Sequence, residues 1–110
     1  MNIRFAFAAF TLSLCFTAPL YAADETAALA LLKESKCLKC HSIDKKKDGP
    51  SYKSVAEKYK DKPEAMAKLT KHVTEPSQVE IDGVKEDHGS VKTRDAAKVK
   101  NLVEWILSLS

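Results

Sequence analysis

A small all-α domain of about four helices is what this 110-residue sequence predicts, on three observations. Apolar residues recur at helical spacing in several separate segments. No run alternates apolar with polar residues for long, so no strand is expected. Proline, glycine or a cluster of charges stands between the helical segments and supplies the breaks.

The first helix is expected over residues 25–36, where Ala28, Leu29, Leu31, Leu32 and Ser35 fall at helical spacing and Asp24 or Thr26 can cap the first turn. It runs straight into Cys37. Residues 42–49 are polar and read as a loop, closed by the turn pair Gly49-Pro50. A short second helix follows over 52–59, broken by Lys60-Asp61-Lys62. Pro63 suits the first turn of a third helix over 64–73, and Pro76 stops that helix from going further. The last helix, over 95–109 with Thr93 as its cap, carries a stripe of Val99, Leu102, Val103, Ile106 and Leu109, so one face is buried. Between them, residues 77–92 form a long connection with Gly83, Gly89 and many charges. Connections of that length in a compact domain are usually functional.

Residues 1–22 stand apart from this domain. A short positive start ending at Arg4 leads into an apolar run over 5–16, and residues 17–22 end in the small Ala22. This is the pattern of a secretory signal peptide. The apolar run is too short to span a bilayer and is followed by acidic Asp24-Glu25, so no membrane insertion is expected after processing. Leu14 stands where a lipoprotein signal would want a small residue, against a lipid anchor on Cys15. The organisation is then a signal peptide over 1–22 and one domain over 23–110. Cleavage removes only Arg4 among the charged residues, leaving 17 basic against 15 acidic residues and a net charge of +2. So mild and interspersed a balance does not argue for nucleic-acid binding, where a concentrated basic face is expected.

Two cysteines remain, in Cys37-Leu38-Lys39-Cys40-His41. The spacing C-x-x-C-H is the attachment signature of c-type haem. Two thiols separated by one short turn reach both vinyl groups along one porphyrin edge, and the next residue projects over the ring. His41 can therefore place an imidazole nitrogen on the iron. Rival readings fit less. A structural zinc site would need two more histidines at close spacing, and His72 and His88 are far apart in sequence. A thioredoxin-like pair needs a strand before the motif, and a plain disulfide leaves the adjacent histidine unexplained. Covalent haem also supplies what an 88-residue chain lacks, a centre for its core. Leu31, Leu32, Leu102, Val103, Trp105 and Ile106 are candidates to pack on or beside it.

With these residues in order, followed by Asp48-Gly49-Pro50-Ser51-Tyr52, Val55-Ala56-Glu57-Lys58-Tyr59 and Leu102-Val103-Glu104-Trp105-Ile106-Leu107-Ser108-Leu109, the sequence resembles the small class I bacterial cytochromes c almost from end to end. The resemblance implies a class I cytochrome c fold around one covalent haem c, bound by Cys37 and Cys40 with His41 on the iron. It implies a hydrogen bond from His41 to the carbonyl of Pro50, which orients the ligand. The family's sixth ligand is a methionine in the loop before the last helix, and this sequence has none there. His88 lies close to that position and is the expected second metal ligand. The alternatives are an ordinary exposed His88, or Met66, His72 or a lysine as the second ligand. The loop also lacks the family's propionate-binding tryptophan, for which Lys53 or Lys92 would substitute.

The function so implied is that of a periplasmic one-electron carrier, not an enzyme, serving redox protein partners. Histidine in place of methionine would lower its potential. Two other readings stand beside it: a protein that binds or senses nitric oxide or carbon monoxide through a dissociable sixth ligand, and the cytochrome subunit of a periplasmic oxidoreductase. The run Lys45-Lys46-Lys47 is either a solvated loop or a patch that steers an acidic partner.

Overall fold

A computed structural model describes residues 22–110 together with Ser13; the expected signal peptide, apart from these two positions, lies outside the described residues. Among the described residues no helix is long and apolar enough to cross a membrane.

Helix α1, Glu25–Glu34, is capped by Asp24, whose carboxylate accepts from the Ala27 amide at 3.0 Å. It ends because Lys36 turns into the left-handed region, with φ of 60°. For a residue with a Cβ that conformation costs about 1–2 kcal/mol. The reversal leads at once into a tight 3₁₀ turn, Cys37–Lys39, that carries the cysteines. After a loop comes α2, Tyr52–Tyr59, where buried Ser51 accepts from the Ser54 amide at 3.1 Å. Helix α3, Ala65–Thr74, begins one residue later than expected and has no side-chain cap, so Pro63 sits in the turn before it rather than in its first turn.

The connection over 77–92 departs from expectation. It contains a hairpin, β1 Ser77–Ile81 and β2 Val84–His88, paired antiparallel with Ser77 opposite His88 and Ile81 opposite Val84. Its turn is Asp82-Gly83, at φ of 50° and 79°. Two consecutive left-handed residues match the right-handed twist of paired strands, which is why Asp-Gly nucleates hairpins. That dipeptide outweighs the poor alternation on either side. Among the described residues the fold is four helices with a small two-stranded sheet added.

Helix α4, Ala96–Leu107, is capped by Asp95, which accepts from the Ala97 amide at 2.9 Å. Thr93, the expected cap, instead accepts from the Asp95 amide at 3.1 Å and so holds the capping residue. Helices α1, α2 and α3 all pack on α4, whereas the two hairpin strands contact chiefly each other. Leu32, Leu102 and Val103 are the largest side chains fully removed from solvent. The start of α1 is joined to α4 by a reciprocal pair: the Asp24 amide donates to Asn101 Oδ1 at 2.8 Å and Asn101 Nδ2 donates to the Asp24 carbonyl at 2.9 Å. Two bonds fix the segment after the hairpin. The Val91 amide donates to the Val73 carbonyl at 2.8 Å, and the Lys92 amide to Ser35 Oγ at 2.9 Å.

Candidate haem-binding crevice

Between the helices and the hairpin opens a cavity of about 760 Å³, within the size range of sites that bury most of a cofactor-sized molecule. Cys37, Cys40, His41, Pro50, His72 and His88 all line it. Its apolar wall includes Leu32, Leu69, Val91, Leu102 and Ile106 from the helical side and Val79 and Ile81 from β1. Of the six residues expected to pack there, Leu32, Leu102 and Ile106 do so. Leu31, Val103 and Trp105 are buried elsewhere in the core.

Cys37 and Cys40 are half-buried free thiols. Burial pushes the Cys37 thiol above its ordinary range, opposed by hydrogen bonding from its own backbone and from Tyr52. Tyr52 is buried, and that burial, followed by the neighbouring Cys37, pushes its phenol well above the usual value. Its ring stacks on His41 with centroids 5.0 Å apart.

His41 is held on three sides. Its Nδ1 lies 2.7 Å from the Pro50 carbonyl oxygen. A carbonyl can only accept, so the hydrogen sits on Nδ1 and Nε2 keeps its lone pair, the state a metal ligand requires. A Cβ at Gly49 would stand 2.6 Å from His41 Cε1 and 2.8 Å from Nδ1, so only glycine lets the imidazole lie where it does. The Gly49 amide in turn donates to the Cys40 carbonyl at 2.7 Å, and Lys47 Nζ to the Leu38 carbonyl at 2.9 Å, which clamps the loop onto the cysteine turn. Lys47 is thus partly a structural residue.

His88, at the end of β2, faces this arrangement. Its ring centroid is 6.2 Å from that of His41. Two imidazoles on opposite sides of one metal ion stand about 6 Å apart, from bonds of about 2.0–2.1 Å and about 1.1 Å from nitrogen to ring centre on each side. His88 Nδ1 is buried without a hydrogen-bond partner, a condition that costs about 1–3 kcal/mol when nothing relieves it. Burial, then the neighbouring His72 and His41, holds its pKa below the ordinary value, with the Gly89 backbone acting in the opposite direction. The donor set therefore fits a covalent haem: two free thiols on one turn and two imidazoles whose rings stand 6.2 Å apart beside them.

Other sequence expectations fall differently. Met66 is half-buried outside the cavity, in a separate shallow hollow with Tyr59, Pro63 and Leu107. His72, expected on a partly exposed helix face, does lie there, yet its ring stands 4.1 Å from that of His88. Lys53 pairs with Asp44 at 2.9 Å and does not line the cavity, nor does Lys92. Lys36, Lys58, Lys68 and Lys71 do. Sequence reasoning also missed the close approach at Gly49 and the stacking of Tyr52. Among the described residues no cluster of three or more His, Cys, Asp or Glu is arranged to hold a metal ion alone, against the zinc reading.

Comparison with known proteins agrees with this chemistry. The family model "Cytochrome c" matches residues 26–110. Cytochrome c-551 of Allochromatium vinosum is 36% identical over 101 residues, covering 87% of this chain and all of the relative. Cytochrome c-551 of Pseudomonas denitrificans is 33% identical over 79 residues, 72% of this chain and 93% of its own. Among solved structures, the class 1 cytochrome MtoD of Sideroxydans lithotrophicus superposes with a TM-score of 0.76 at 50% identity, over 80% of this chain and 98% of the other. Wild-type cytochrome c552 of Nitrosomonas europaea does so at 0.58 and 29%, over 74% and 99%. Members of this family carry one covalently bound haem c and transfer electrons rather than transform substrates. With the C-x-x-C-H turn, the crevice and these relatives together, the chain belongs to the cytochrome c family, as a small class I monohaem cytochrome c.

Proposed function

We propose that this cytochrome is a periplasmic one-electron carrier with His41 and His88 as the two axial ligands and a potential lower than that of its methionine-ligated relatives. The observation that carries the ligand assignment is the 6.2 Å separation of the two rings across a cavity that Met66 does not line. When bound, the haem supplies a ferric/ferrous couple, and the chain's residues decide where that couple sits and what reaches it.

Cys37 and Cys40, at the wall of the crevice, would tether the group through thioether bonds. His41 presents Nε2, oriented by the Pro50 carbonyl and kept in place by the bare face of Gly49. A hydrogen bond from the far nitrogen of a ligating histidine raises its basicity. His88 would contribute a second neutral imidazole, so that protein side chains would hold the iron and no substrate need bind. A thioether ligand raises a cytochrome's potential, so its replacement by imidazole lowers it. The apolar wall of Leu32, Leu69, Leu102 and Ile106 excludes water from the group. Exposed Lys36, Lys58, Lys68 and Lys71 at the rim are placed to meet anionic groups of haem or of a redox partner.

Export follows from residues 1–22, which leave residues 23–110 as the mature domain. Near-infrared magnetic circular dichroism of the ferric protein tests the ligand assignment, because two imidazoles and an imidazole–thioether pair give different charge-transfer energies. Two imidazoles are expected. A thioether signature, or carbon monoxide uptake by the reduced wild-type protein, would overturn the reading, the latter in favour of a ligand-binding role.

A further inference from the structure

Three imidazoles, not two, line the crevice, and the ligand assignment above uses only His41 and His88. His72 sits in the last turn of α3, its ring 4.1 Å from that of His88 and tilted by 42°. It is exposed on its outer side and, among the described residues, its side chain makes no hydrogen bond. Ring contact with His88 is what holds its side chain. Its backbone, by contrast, is fixed: the neighbouring Val73 carbonyl receives the Val91 amide at 2.8 Å, so the end of α3 and the segment following His88 are bound together. His88 itself lies on a hairpin whose strands contact chiefly each other.

We propose that His72 is a reserve axial ligand, positioned on the rigid helix to take the iron when the hairpin carries His88 away. This rests on His88 being the resting ligand. A ring 4.1 Å from the one it replaces lies within the span of a side-chain rotation. The exchange breaks one iron–imidazole bond and forms another, with no change in charge or electron count, and it keeps the iron six-coordinate while the hairpin is open.

The test uses the mature holoprotein and three variants, His88→Ala, His72→Gln and the two combined, read by absorption spectrum and by carbon monoxide binding to the reduced state. His88→Gln duplicates the first should the alanine variant fold poorly. The proposal expects His88→Ala to stay low-spin and refuse carbon monoxide, His72→Gln to match wild type, and the double variant alone to turn high-spin and bind carbon monoxide completely. Added imidazole should restore the low-spin spectrum of the double variant. If His88→Ala alone is as open as the double variant, there is no reserve ligand, though the His88 assignment survives. If the double variant stays low-spin, or His72→Gln alone opens the site, the His88 assignment itself fails and the proposal with it.

Discussion

Replacing Gly49 by alanine probes the support of His41 without replacing the histidine itself. The added Cβ would stand 2.6 Å from Cε1 of the imidazole, so the ring must retreat by about 1 Å to reach ordinary contact of about 3.5–4.0 Å. Such a retreat stretches the 2.7 Å contact with the Pro50 carbonyl beyond hydrogen-bonding range. Losing that bond costs about 0.5–1.5 kcal/mol, and an off-rotamer imidazole about 0.5–1.5 kcal/mol more. Against this, alanine gains about 0.4–1 kcal/mol by restricting the unfolded chain. The net is a loss of about 1–2 kcal/mol. For a domain of this size each kcal/mol moves the melting temperature by about 4–8 °C, so thermal melts of the holoprotein should fall by about 5–15 °C. Gly89 supplies the control, because a Cβ there meets nothing within 4 Å. Gly89→Ala should melt at or slightly above wild type. If Gly49→Ala melts with wild type and leaves the visible spectrum unmoved, the glycine is not what seats His41.

Other perturbations separate the remaining supports. Asp95→Ala should cost about 1 kcal/mol in a denaturant melt by uncapping α4, and Thr93→Ala less, because Thr93 only braces the cap. Leu102→Ala, at a position with no exposure that forms part of the crevice wall, should cost about 2–5 kcal/mol. Cys37→Ala or Cys40→Ala should leave at most one thioether bond and sharply lower the yield of holoprotein, measured as haem absorbance per chain. Mass spectrometry of the exported protein should find Ala23 or Asp24 at its N-terminus; retention of residues 1–22 would point to a membrane anchor instead.

How much of this was legible beforehand follows from which interactions are local. Helices α1, α2 and α4 could be read because apolar spacing and capping residues are properties of neighbouring positions, as at Asp24 and along Val99, Leu102, Val103 and Ile106. The C-x-x-C-H turn is equally local. The cap of α4 was misplaced by two residues because Thr93 and Asp95 are both good capping types, and only their mutual hydrogen bond assigns the roles. The hairpin escaped because much of it is exposed and polar, although Asp82-Gly83 was a usable signal. The proximity of His72 to His88, and of Gly49 to the face of His41, depends on how α3, the hairpin and the loop before α2 meet in space. No spacing rule along the chain reports such meetings.

A crystal structure of the mature ferric holoprotein, resolved at the iron, tests the central claim most directly. The account predicts His41 and His88 bound to opposite faces of one iron, with the ring of His72 close by and unbound. Met66, a lysine, a water molecule or His72 in the place of His88 would contradict it.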